Sequence, residues 1–370
     1  MLKAMGFPGR YLQGPGAILK LGDLLAELGC NKACVVMDAM VRESVWDAVA
    51  AELGSAQSQL SILAFPGECT DKIIQELAQQ ALQQGADCII GFGGGKTIDT
   101  AKGIARERGV RLIIAPTIAS NDSPTSRLIV LYDDQHKVDS VQMLVRNPDM
   151  VVVDTAIVAR APARFFAAGL GDALSKKDEV EQCHLAGGRN FFGTPSTATA
   201  RVLAQHCYQT IVEYGPAALR QINQHHAPND DVERVVEATV LLSGLAFESG
   251  GLSIAHALTR GFSAQASMVR YLHGEMVAFG SIVQLYAQHE DQPRIRQHAS
   301  LAHDLGLPVR FADFDGYQPG EADLQDIARL TSLAPYIGHI TPAATADSLV
   351  KALKAANDLG ESLSARRAAG

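Results

Sequence analysis

Four times in the first 115 residues a helical pattern ends on a glycine and gives way to a short apolar run. Residues 17–28 stop at Gly29 before 33–37 (ACVVM), and 43–53 stop at Gly54 before 60–65. Residues 71–84 stop at Gly85 before 88–91, and 97–108 stop at Gly109 before 112–115. Glycine closes a helix because it enters the left-handed region without penalty. Short, wholly apolar runs suit strands buried on both faces. Their alternation with helices commits this part of the chain to a parallel sheet covered by helices.

The rhythm then changes. LIVLY (128–132) and MVVVD (150–154) are β-like, and a polar turn, DDQHK (133–137), follows LIVLY. This pattern predicts a hairpin inserted into the sheet or flanking it. Beyond residue 160 the β signal fades, and Ala- and Leu-rich helical segments cover 163–185, 196–213, 231–247, 274–289, 293–305, 322–334 and 344–356. The expected organisation is an α/β domain over 1–160, built on a parallel dinucleotide-binding sheet, and an all-α domain over 161–370. A cleft between two such domains is the expected place for a ligand.

The net charge of −8 argues against nucleic-acid and anionic-membrane partners. No run reaches the roughly 18 apolar residues of a membrane span. The six cysteines form no CxxC pair and read as reduced thiols of a cytoplasmic protein.

IIGFGGGKTIDTAK (89–102) invites two nucleotide motifs and satisfies neither. A triphosphate-binding G-x-x-x-x-G-K-[ST] ending at Thr97 needs glycine where Ile90 stands, and G-x-G-x-x-G needs glycine where Lys96 stands. What remains is a strand, a run of glycines and a helix start, where free N–H groups and the helix dipole favour phosphate. The plainer reading is a turn that needs positive φ. Asp38, just past an apolar run, either binds a ribose 2′-hydroxyl, favouring NAD, or caps the next helix. APTIASNDSPTS (115–126) is long for a turn and rich in hydroxyl and amide groups; Thr117, Ser120 and Ser126 suit phosphate or ribose, and Asp122 suits a substrate hydroxyl.

Of the 11 histidines, His225, His226, His289, His298 and His303 are expected at polar or exposed positions. His256 lies in FESGGLSIAHAL and His273 in YLHGEMVAFG; Asp172 lies in AAGLGDAL. One carboxylate and two imidazoles from separate elements make a three-ligand set with a position left open, the layout of a catalytic metal site. The alternative is a capping Asp and two core histidines.

GFGGGKTIDTAK, APTIASNDSPTS, GLGDAL, FESGGLSIAHAL and LHGEMVAFG together resemble, in this order, the glycerol dehydrogenase branch of the metal-dependent, or iron-containing, alcohol dehydrogenases. The resemblance runs over essentially the whole chain. It implies NAD as cofactor, with Asp38 on the adenosine ribose. It further implies that Gly94, Gly95, Lys96 and Asp99 in the glycine loop, and Thr117, Ser120, Ser126, Leu128, Val130 and Tyr132 after it, contact NAD. It makes Asp122 a substrate-contacting carboxylate and Asp172, His256 and His273 the ligands of a divalent metal, zinc in this branch, with iron or manganese as alternatives. A homo-oligomer acting on a polyol is the implied assembly and substrate class.

Two stretches depart from the family's pattern. HALTRG carries Thr259 and Arg260 where a HAxHNG pattern is common, and Ser175-Lys176-Lys177-Asp178-Glu179 replaces an apolar and aromatic run. These charges either favour a hydroxy acid or phosphorylated polyol over glycerol or are solvated surface groups. A dehydroquinate-synthase-like cyclase and a catalytically inactive NAD-binding protein are the readings from other classes.

Overall fold

The computed structural model describes residues 2–133 and 138–368. They fall into two compact units. One comprises residues 6–163 and 221–241; the other takes up residues 2–5, 164–220 and the chain from Leu242 onward.

The first unit carries eight strands: β1 (Arg10–Gly14), β2 (Ala33–Met37), β3 (Leu60–Ala64), β4 (Cys88–Gly93), β5 (Arg111–Pro116), β6 (Leu128–Tyr132), β7 (Val138–Met143) and β8 (Met150–Asp154). Six of them form one parallel sheet in the order β1-β8-β5-β4-β2-β3. β2, β4 and β8 are buried at every residue, as their unbroken apolar runs require. Gly29 and Gly109 close their helices with φ of 70° and 64°. On one face of the sheet Val35, Ile90, Phe92, Ile113 and Val152 pack with Leu21, Leu25 and Trp46, and the Trp46 and Phe92 rings meet edge-on at 5.2 Å.

β6 and β7 form a separate antiparallel pair, and MVVVD (β8) joins the main sheet between β1 and β5. Residues 134–137 of the expected DDQHK turn lie outside the described residues. β1 was not expected from the sequence. RYLQG is too polar to look like a strand, and it is tolerated because it forms a partly exposed edge. The helical segment 221–241 joins this unit through polar ties: Glu233 accepts from Gln13 Nε2 at 2.7 Å and from Thr155 Oγ1 at 2.5 Å.

The second unit is helical among its described residues, apart from a single isolated bridge, Arg189 to Pro195. Candidate residues lie on helix α1 (Gly95–Arg108) of the sheet unit and, separately, on α2 (Ala163–Leu185), α3 (Ile254–Phe262) and α4 (His273–Ala287) of the helical one. Glycines let the last three touch. A Cβ on Gly171 of α2 would stand 2.5 Å from the carbonyl oxygen of Gly274 in α4, and one on Gly274 would stand 1.8 Å from that of Ala168. A Cβ on Gly280 of α4 would stand 2.7 Å from the carbonyl oxygen of Ala255 in α3. Each contact neighbours a candidate ligand: Asp172 follows Gly171, His273 precedes Gly274, and His256 follows Ala255.

Among the described residues no single helix is long and apolar enough to cross a membrane. All six cysteines are buried and free.

Candidate active site

The glycine loop runs from the end of β4 into α1. None of Gly91, Gly93, Gly94 and Gly95 has positive φ, so turn geometry does not demand them. Space does. A Cβ on Gly91 would lie 2.8 Å from that of Ala101, one on Gly93 2.7 Å from Thr97 Oγ1, and one on Gly95 3.0 Å from Asn121 Nδ2. The first intrahelical bond of α1 runs from Ile98 N–H to the Gly94 carbonyl at 2.9 Å, so the N–H groups of Gly95, Lys96 and Thr97 precede the helical ladder. The N-cap Gly94 contributes no side chain to cover them. A bare helix start behind a side-chain-free loop suits the pyrophosphate of a dinucleotide.

The other expected cofactor residues divide by how far the fold has already engaged them. Thr117, Ser120 and Ser126 are buried in the loop after β5, together with Asp122, the expected substrate contact. Asp38 Oδ1 caps the following turn by accepting from Val41 N–H at 2.8 Å. The Lys96 ammonium is bound by Glu68 at 2.7 Å and lies 4.5 Å from the centre of the Tyr132 ring. Asp99 is buried and engaged within the fold. Its Oδ1 accepts from Lys102 Nζ at 3.1 Å and its Oδ2 from Val130 N–H at 3.0 Å, so both oxygens are used within the fold. Lys102, unnoticed in sequence, organises this region. Its wholly buried ammonium also donates to the carbonyls of Ser123 and Leu128, at 2.8 and 2.7 Å, and lies 3.4 Å from Ser126 Oγ.

In the helical unit Asp172, His256 and His273 converge, with ligand atoms all within 4.8 Å of one another. Asp172 Oδ1 lies 3.2 Å from His256 Nε2 and 4.0 Å from His273 Nε2. Asp172 is 1% exposed, whereas the His273 side chain is 43% exposed, so the cluster opens on the His273 side.

Glu179 fixes His256. Its Oε2 accepts from His256 Nδ1 at 2.5 Å and from Ser175 Oγ at 2.9 Å, while Oε1 accepts the N–H groups of Ser253 and His256, both at 3.0 Å. One carboxylate thus caps α3 and turns His256 Nε2 toward Asp172.

The side chain of Lys176, one helical turn beyond Asp172, enters the same cluster. Its ammonium is wholly buried, 2.5 Å from Asp172 Oδ1 and 3.2 Å from His256 Nε2. Burial alone would raise Asp172, but this ammonium holds its carboxyl well below the usual carboxylate range. Of the charged run 175–179, Ser175, Lys176, Asp178 and Glu179 are buried, whereas Arg260 in HALTRG is exposed. The solvated-surface reading therefore holds for Arg260 and fails for those four. It fails for physical reasons: Ser175, Lys176 and Glu179 share one face of α2 with Asp172 at helical spacing, and Asp178 pairs with Arg294 at 2.5 Å. His298 also needs correction, since it is 1% exposed with Nε2 2.7 Å from Ser281 Oγ.

Asp172, His256 and His273 fit a divalent ion by chemistry and spacing. Asp172 Oδ2 is buried with no hydrogen-bond partner, as a carboxylate awaiting a cation would be. The ammonium of Lys176 rests on two of the three donor residues.

Residues 8–155 match the family model described as iron-containing alcohol dehydrogenase. The chain is 40% identical to a glycerol dehydrogenase of Pseudomonas putida over 98% of its length and 99% of that protein's. It is 36% identical to a glycolaldehyde reductase of Halobacterium salinarum, over 93% and 95%. The crystal structure of a probable glycerol dehydrogenase from Sinorhizobium meliloti 1021 superposes with a TM-score of 0.90 at 35% identity, covering 98% of this chain and all of that one. The chain therefore belongs to the iron-containing alcohol dehydrogenase family, oxidoreductases that act on CH–OH groups with NAD and a divalent metal.

Proposed function

We propose that this chain oxidises glycerol, or a closely related vicinal diol, to the hydroxyketone with NAD as hydride acceptor and zinc as its metal. The observation that carries the reading is the convergence of Asp172, His256 and His273 on a partly open cluster, in a chain whose relatives include a glycerol dehydrogenase at 40% identity over nearly full length. One carboxylate and two imidazoles suit zinc.

When bound, the ion supplies Lewis acidity to a substrate hydroxyl and the nicotinamide accepts the hydride. The protein's part is positioning. Glu179 keeps the His256 ring turned so that Nε2 faces Asp172, and the glycine contacts of α2, α3 and α4 fix the spacing of the three ligands. The exposed side of His273 gives the released hydroxyl proton a route to water. The bare start of α1 takes the NAD pyrophosphate, and Asp38 reads the adenosine ribose with the carboxylate that also caps the turn. Asp122 accepts from a substrate hydroxyl, which favours diols over simple alcohols. Buried, free thiols support a place in the cytoplasm.

The test is NAD reduction with glycerol, 1,2-diols, simple alcohols, hydroxy acids and polyol phosphates, before and after chelation and with zinc restored. Glycerol and 1,2-diols should exceed the anionic substrates in kcat/KM by at least about tenfold, the worth of a hydrogen bond of about 1.4 kcal/mol. His256→Ala should bind zinc more weakly than wild type on titration while keeping NAD affinity. A preference for the anionic substrates, or full turnover after complete metal removal, overturns the reading.

A further inference from the structure

The charged run that sets this chain apart from the family's pattern places one cation inside the candidate metal site. Asp172 and Lys176 stand four residues apart on α2, so their side chains stack on one face. The ammonium has no exposed surface, bonds Asp172 Oδ1 at 2.5 Å, and lies 3.2 Å from His256 Nε2 and 5.7 Å from the centre of the Phe247 ring. Its position is that of a ligated cation, between a carboxylate and an imidazole nitrogen whose ring Glu179 has already oriented.

We propose that Lys176 is the resident cation of this site: it holds Asp172 and His256 in ligand geometry, and a divalent ion binds only by displacing it. The proposal rests on the reading of Asp172, His256 and His273 as the ion's ligands, and it concerns what those ligands hold when no ion is bound. Two positive charges about 3 Å apart in a buried site repel too strongly to share it. The lysine stem is flexible enough to swing aside, but its ammonium then gives up a buried ion pair. That loss is subtracted from the binding free energy of the ion. The site therefore takes up zinc weakly yet stays assembled without it.

The test measures zinc, independently of turnover. Wild type, Lys176→Met and Lys176→Gln are produced in medium containing zinc and dialysed against metal-free buffer without chelator. Zinc content is then read by elemental analysis and affinity by titration with a competing zinc indicator. Wild type should retain well under one zinc per chain. K176M should retain close to one and bind zinc at least about 100-fold more tightly, because the buried pair no longer opposes it. Zinc should raise the thermal midpoint of K176M more than that of wild type, since tighter binding stabilises the folded state more. K176Q keeps a neutral donor toward Asp172 and should behave like K176M if the methionine variant folds poorly.

Wild type that retains a full zinc per chain, or that binds zinc as tightly as both variants, overturns the proposal. If that result comes with intact glycerol turnover, the functional reading survives. A zinc contrast as expected with no turnover on any diol overturns the substrate assignment instead. No zinc binding by any of the three proteins overturns both.

Discussion

Among the described residues each unit buries one lysine completely, and the two lysines do different work. Lys102 in the sheet unit and Lys176 in the helical unit are both 0% exposed, and each pairs with an aspartate on its own helix, Asp99 at i−3 and Asp172 at i−4. Lys102 also donates to two backbone carbonyls and lies near a serine hydroxyl, all of which the fold holds in place whatever is bound. Lys176 instead engages Asp172 and His256, side chains that an incoming ion would also claim. A buried cation on fixed acceptors is scaffold. The same cation on potential metal ligands is a competitor for the site.

Removing each charge separates the two roles. Lys102→Met should cost about 3–5 kcal/mol, because it strands Asp99 and empties the acceptors that join β6 and the preceding loop to α1. The loss should appear in urea unfolding and should be the same with or without zinc. Asp99→Asn in that background keeps an acceptor for Val130 N–H while removing the stranded charge, and should recover part of the stability. A zinc-dependent loss at Lys102 would erase the distinction between the two lysines.

Glu179→Gln is the next largest expected effect, and it probes the metal side alone. The carboxylate accepts four hydrogen bonds, including the one that sets the His256 ring. An amide presents one acceptor oxygen and must turn its NH2 group toward one of those donors. Zinc affinity should fall by about 10- to 100-fold, typical for loss of a carboxylate behind a metal-bound histidine. NAD affinity should not change. Unaltered zinc binding would show that Glu179 only caps α3.

Much of this was legible in the sequence. Continuous apolar runs between glycine-closed helices gave the strand and helix types, because burial on both faces leaves no room for polar residues. The edge strand β1 was hidden because an edge need not be apolar. His298 was placed on a surface, although Ile295, His298, Ala299 and Ala302 follow a buried helical stripe. The period was present, but the histidine's polarity masked it. The three ligands were visible as residue types, but their convergence depends on glycine contacts between helices far apart in sequence. Lys176 reads in the sequence as a departure from the family's pattern and not as a partner of Asp172. The four-residue spacing was available; that the stripe faces inward, and not toward solvent, was not.

The smallest expected effect tests the sheet side of the comparison. Asp38 stands between two roles that its sequence position left open, and the geometry lets one side chain serve both. Oδ1 accepts from Val41 N–H at 2.8 Å while the side chain stays partly exposed. Asp38→Gly removes the carboxylate at a position where glycine is a tolerable N-cap, so stability should fall by only a few tenths of a kcal/mol. If the carboxylate also reads the ribose, losing it removes a charge-assisted hydrogen bond to NAD and the repulsion that excludes a 2′-phosphate. The ratio of kcat/KM for NAD over NADP should then drop by about tenfold or more. An unchanged ratio with the same small loss of stability would leave Asp38 as a helix cap only. The choice between NAD and NADP would then have to come from elsewhere in the sheet unit.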